Sequence, residues 1–100
     1  EPLRKAAAGI LVCGDLDRAF RLAKDYWVID GAIAAQNICL TAQELGLGTL
    51  WIANTCFAYN ELIEFIGTDN QLTGIVAVGT ANEAPPKRPR KALRDVVEYR

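Results

Sequence analysis

The chain has 100 residues, about the modal size of one domain, which excludes a multidomain enzyme within it and allows one core of modest size. Eleven basic and twelve acidic side chains leave a formal net charge of −1, so no overall field favours nucleic acid or an anionic membrane. Histidine is absent, which excludes Ser-His-Asp and Cys-His catalysis within these residues and argues against a zinc site.

In chain order, Ala8 to Cys13 is a short apolar run stopped by Gly14-Asp15, the pattern of a buried strand. Asp15 is placed to N-cap a short helix that would expose Arg18 to Lys24. A long helix follows from about Tyr26 to Leu45, stopped by Gly46, which tolerates the left-handed conformation after a helix. At helical spacing, Val28, Ala32, Ala35, Cys39 and Ala42 form a small-residue face that lets another backbone come close. Asp30, Asn37, Thr41 and Glu44 form a polar stripe, and Ile29, Ile33, Ile38, Leu40 and Leu45 fill most of the remainder. Burial on more than one side is therefore expected for this helix.

Leu47 to Ala53 reads as the next strand, and Asn54-Thr55 starts a loop. Tyr59 to Ile66 reads as a short amphipathic helix, with Asn60 as its N-cap and Gly67 as its stop. Thr73 to Gly79 holds the continuous run Ile75-Val76-Ala77-Val78 and reads as a central strand. Past Glu83 the chain turns to prolines and basic residues, an extended tail with a weak helical turn around Leu93 to Glu98. Strands alternating with helices give an α+β fold with α/β-type layers: one domain over residues 1–100, with its core at 8–80 and its tail at 83–100.

The cysteines, Cys13, Cys39 and Cys56, are odd in number, lack a C-x-x-C spacing and sit among apolar neighbours. Buried reduced thiols in a cytoplasmic protein are the expectation. The longest apolar stretch, Trp27 to Leu45, carries Asp30, Gln36, Asn37, Gln43 and Glu44, too many polar groups for a membrane span. Hydrophobic side chains make up 51% of the chain, methionine is absent, and the first residues are Glu1-Pro2. These features suggest a piece of a longer chain with more apolar surface than a lone small domain buries.

No catalytic pair stands out: Asp30 and Glu44 lie about four helical turns apart and cannot share a proton. Gly46-Leu47-Gly48-Thr49 joins a helix end to a strand start, the reverse of a nucleotide-binding turn, and would offer a phosphate the negative end of the helix dipole. Trp51-Ile52-Ala53-Asn54 could bring backbone N–H groups close to a planar ligand, or simply be a strand end entering a loop. In an extended tail Arg88 and Arg90 share a side, so both guanidiniums could meet one phosphate; a solvated basic tail is the alternative.

The string from Asp30 to Ala42, with Ala35-Gln36-Asn37, then Glu44-Leu45-Gly46-Leu47-Gly48-Thr49-Leu50-Trp51-Ile52, resembles the C-terminal half of the FMN-dependent nitroreductase family. Val76-Ala77-Val78-Gly79, the Pro- and Arg-rich tail from Pro85 to Val97, and Ile10 to Asp15 match later and earlier parts of the same pattern. The resemblance implies a mixed sheet flanked by helices, a homodimer formed through long central helices, and FMN at the interface. It assigns the flavin ring to the loop at Trp51, Ile52, Ala53 and Asn54, and the FMN phosphate to Arg88 and Arg90. The implied reaction is ping-pong electron transfer from NAD(P)H to a nitroaromatic, a quinone or a similar acceptor. In such an enzyme the cofactor performs the reaction and the protein orients it. Two departures qualify the likeness. Ala53-Asn54 stands where many members carry Glu-Gly, and no Arg-Arg-Ser type segment is present. A non-catalytic dimerisation or binding module on the same scaffold, or a flavin enzyme of different reaction such as a dehalogenase, therefore remains open.

Overall fold

The computed structural model describes residues 2–19, 25–67 and 69–100. Its elements run α1 (Pro2–Lys5), β1 (Ala8–Gly14), α2 (Tyr26–Glu44), β2 (Gly48–Ile52), a 3-10 turn (Ala53–Ala58), α3 (Tyr59–Ile66), β3 (Gln71–Gly79) and a short 3-10 turn (Leu93–Asp95). The sheet order is β1-β3-β2 with both pairings antiparallel, so the most apolar strand is the central one. Val76 opposes Ile10 on one side and Trp51 on the other, and it is completely covered.

Residues directly opposite in an antiparallel ladder share a face. Ile10, Val12, Trp51, Gly74, Val76 and Val78 thus share one, and Gly9, Leu11, Leu50, Ile52, Ile75 and Ala77 the other. α2 lies on the first face: its last turns meet Ile10 and Val78 around Ile38 and Ala42. α1 reaches the second, where a Cβ on Gly9 would stand 2.8 Å from Leu3 Cδ1.

The contact between α2 and the sheet depends on a register shift. Val12 pairs with Gly74 and Cys13 with Leu72, which leaves Thr73 as an extra, unpaired residue of β3. Thr73 packs directly on Gly31 of α2, and a Cβ there would lie 2.6 Å from Thr73 Cγ2. One turn nearer the start of α2, Trp27 packs over Gly14. The buried positions of α2 are Gly31, Ala35 and Ala42, small residues at helical spacing that let the axis approach the strands.

Both glycine stops act as expected. Gly46 has φ of 72°, and the N–H groups of Gly46 and Leu47 donate to the carbonyls of Gln43 and Ala42 at 3.1 and 2.8 Å. That is the Schellman arrangement, which satisfies two carbonyls the helix end leaves open. Gly67, with φ of 68°, ends α3 by donating to the Ile63 carbonyl at 3.0 Å.

Several expectations are corrected. β1 is an edge strand and mostly exposed, because the sheet has no further strand on that side among the described residues. Asp15 does not cap a described helix; its Oδ1 accepts from the Asp17 N–H at 3.0 Å in a local turn. The expected exposed helix side of Arg18 to Lys24 falls mainly on residues 20–24, outside the described residues. Asn60 is not the N-cap of α3, which starts one residue earlier behind Ala58 and has no side-chain cap. The segment after Ile52 is a 3-10 turn rather than an open loop, and the tail's helical turn is confined to Leu93–Asp95.

Among the described residues α2 is covered on one flank only, since a three-stranded sheet offers it a single surface. Val28 and Ala32 of the predicted small-residue face are exposed, and Ile33 and Leu40 are 57% and 58% exposed on the outside. All three cysteines are free thiols, but none is fully buried as expected: Cys13 and Cys39 are half-buried, and Cys56 is exposed in the 3-10 turn. Residues from Thr80 onward run over the surface, and the radius of gyration, 16.3 Å, exceeds the roughly 13 Å of a compact 100-residue domain.

Candidate functional site

β2 pairs with β3 from Gly48 opposite Gly79 to Ile52 opposite Ile75. Trp51 lies on the face shared with α2. Its indole extends along β3 to Gly74, where an added Cβ would stand 2.6 Å from Trp51 Nε1. The missing side chain is what lets this ring lie across the strand. About half of Trp51 nevertheless remains exposed, because β2 is the sheet edge.

Ile52 is still extended, with φ of −96° and ψ of 105°, and Ala53 then begins the 3-10 turn. The first N–H groups of such a turn have no carbonyl three residues back within it. No side chain caps them, and Ala53 and Asn54 are exposed. The strand end therefore presents a turn start without a side-chain cap beside a half-exposed indole.

The far end of this turn is held. The Tyr59 hydroxyl donates to Gln71 Oε1 at 2.6 Å and accepts from the Leu72 N–H at 3.1 Å. Both partners belong to β3 beyond the point where β2 has stopped pairing. A single phenol so replaces the missing strand there.

Arg88 and Arg90 lie exposed in the tail, outside regular secondary structure. Among the described residues neither makes a hydrogen bond or an ion pair. The tail's ion pairs are Arg94 to Asp95 at 3.8 Å and Arg100 to Glu98 at 3.2 Å, both exposed and worth little. The structure brings Trp51, Ile52, Ala53 and Asn54 together at one strand end, and no bond draws the two arginines to them.

Two hollows flank α2. One of about 570 Å³ lies between the end of β1 and the first turns of α2, walled by Gly14, Asp15, Trp27 and Asp30 among others. The second, about 390 Å³, is apolar and lies under Ile38, Ala42 and Leu45. None of the six residues expected to bind a cofactor lines either.

The nitroreductase family model matches residues 3–80. The chain belongs to the nitroreductase family. The matched span takes in the whole sheet, α2 and the turn after β2, and stops where the tail begins. A protein of Methanothermobacter thermautotrophicus named "Putative NADH dehydrogenase/NAD(P)H nitroreductase" is 41% identical over 49 residues, 49% of this chain and 25% of its own length. One of the same name from Archaeoglobus fulgidus is 40% identical over 50 residues, 50% of this chain and 28% of its own.

Among solved structures, a nitroreductase family protein of Clostridium difficile 630 superposes with a TM-score of 0.78 at 25% identity, covering 97% of this chain and 61% of that one. A nitroreductase-like family protein of Bacillus cereus gives a TM-score of 0.76 at 27% identity, covering 94% of this chain and 51% of that one. The chain thus spans between half and two thirds of these nitroreductase-family structures. No described helix is long and apolar enough to cross a membrane.

Sequence reasoning missed Tyr59, Gly74 and Thr73 at or beside this strand end. An aromatic at a helix start, a glycine inside a strand run and a β-branched residue at a strand start carry no one-dimensional mark of the partners they find.

Proposed function

We propose that this chain is the C-terminal part of an FMN-dependent oxidoreductase that draws electrons from NAD(P)H and reduces nitroaromatics, quinones or similar acceptors. The observation that carries the reading is the open strand end, Trp51 to Asn54, inside the span matched by the nitroreductase family model. When bound, FMN would supply the two-electron chemistry, with donor and acceptor using it in turn.

The residues present fit part of that group. The uncapped N–H groups at the start of the 3-10 turn, on exposed Ala53 and Asn54, are donors for the acceptor edge of an isoalloxazine. With alanine and asparagine in place of Glu-Gly, orientation of the ring falls to the backbone and to the Asn54 amide. Trp51 and Ile52, on opposite faces of the strand end, offer the ring an apolar surface on either side of the backbone. Arg88 and Arg90 are exposed guanidiniums without partners among the described residues, suited to a phosphate once the tail is drawn in. The exposed outer face of α2, with Ile29, Ile33 and Leu40, fits a second copy of the protein and so the homodimer that the resemblance implies. Three free thiols fit a reducing, cytoplasmic compartment.

The test compares FMN with riboflavin, which lacks the phosphate, by titration of the full-length protein. Arg88→Ala and Arg90→Ala are each expected to weaken FMN binding about tenfold or more and to leave riboflavin affinity unchanged. Equal losses for both ligands, or none for FMN, would remove the arginines from the site. A full-length protein that does not bind FMN, or whose bound flavin is not bleached by NADH or NADPH, would overturn the reading itself.

A further inference from the structure

The turn after β2 is fastened to the same strand at both ends. At its start, Ile52 is paired with Ile75; at its finish, the Tyr59 hydroxyl holds Gln71 and the Leu72 N–H. The six residues between these anchors, Ala53–Ala58, are wound as a 3-10 turn, so one short segment is tied to β3 at both of its ends.

We propose that Tyr59 is a positioning residue: by anchoring the far end on β3 it holds the Ala53–Ala58 turn in place and sets the direction of the N–H groups of Ala53 and Asn54. This rests on the flavin reading of the strand end. Leu72 is almost fully buried, and beyond Ile52 no β2 residue is left to receive its N–H, so the phenol oxygen fills that place. Gln71 Oε1 accepts the hydrogen bond of the phenol and thereby fixes which way the hydroxyl points. Tyr59→Phe removes the acceptor of the Leu72 N–H and the donor to Gln71 together. Gln71→Leu removes only the second, so it perturbs the turn less and provides a graded variant should Tyr59→Phe fold poorly.

The experiment uses the full-length protein and two independent readouts. Hydrogen exchange of the amides of residues 55–58, which are hydrogen-bonded within the turn, is measured without added FMN, and FMN affinity is then measured by titration. Tyr59→Phe is expected to speed exchange in the turn at least tenfold while α2 amides keep their rates, and to weaken FMN about tenfold with an altered bound-flavin absorption band. Gln71→Leu is expected to fall between Tyr59→Phe and the parent.

Ala35→Gly, which loosens α2 away from the turn, separates positioning from plain loss of stability; it should leave the flavin band unchanged. Unchanged exchange in the turn would overturn the proposal, as would a flavin band shifted equally by Ala35→Gly. A loosened turn with unaltered FMN affinity would also overturn it. A parent protein that does not bind FMN would overturn the flavin reading instead, and exchange in the turn would still decide the anchoring.

Discussion

Replacing Gly31 by alanine tests how α2 is seated on the sheet. An added Cβ would fall inside contact distance of Thr73 Oγ1, and 2.6 and 2.8 Å from Thr73 Cγ2 and Cβ. These are atoms of a β-branched side chain that is stiff at χ1, so it cannot swing aside like the end of a lysine. Relief requires α2 to lift from β3, and overpacking of this kind costs about 1–3 kcal/mol, here near the top of that range. Alanine's better helix propensity returns about 1 kcal/mol. The net expectation is a loss of about 2 kcal/mol in urea unfolding of the full-length protein followed by far-ultraviolet circular dichroism.

The same contact leaves Thr73 Oγ1 buried with no hydrogen-bond partner among the described residues. Thr73→Ala should therefore be close to neutral: the lost methyl group is offset by removal of an unsatisfied hydroxyl, each worth about 1 kcal/mol. In the double variant the methyl group introduced by Gly31→Ala occupies the space that the threonine side chain vacates. A coupling of about 2 kcal/mol is expected, well outside the scatter of independent sites. If Gly31→Ala raises stability, or if the two changes add within about 0.5 kcal/mol, the packing argument is wrong.

Three further glycines give separable outcomes. A Cβ on Gly67 or Gly46 meets nothing within 4 Å, so alanine there costs only the left-handed conformation, about 1–2 kcal/mol, and asparagine should recover part of it; equal thermal stability of Gly67→Ala and the parent would contradict this. Gly74→Ala should push the Trp51 indole off β3 towards solvent, read as a red shift of tryptophan emission in a Trp27→Phe background. An unchanged spectrum would mean that the ring does not depend on the bare strand.

The local part of this protein was legible in the sequence because its signals are local. Gly46 and Gly67 stop their helices through their own backbone angles, whatever surrounds them. The run Ile75 to Val78 is apolar on both faces, which only a central strand can use, and β3 is central. The order of motifs from Asp30 to Gly79 likewise sufficed for the family, since it depends on spacing rather than on contacts.

Tertiary structure decided the rest, because burial is a property of neighbours. Ala8 to Cys13 is as apolar as many core strands, yet β1 lies at an edge and stays largely exposed. Cys56 has apolar neighbours in sequence and solvent in space. The skipped residue that turns Thr73 onto Gly31 appears only when two strands are paired. Tyr59 and Gln71 are separated by the whole of α3, and their bond exists only because β3 returns alongside the turn after β2. By itself the sequence determined the three strands, the long helix α2 and the short helix α3, and which family they compose. Folding determined which of their surfaces are covered and how the strand end at Trp51 to Asn54 is held, since those follow from distances between residues that the chain order keeps apart.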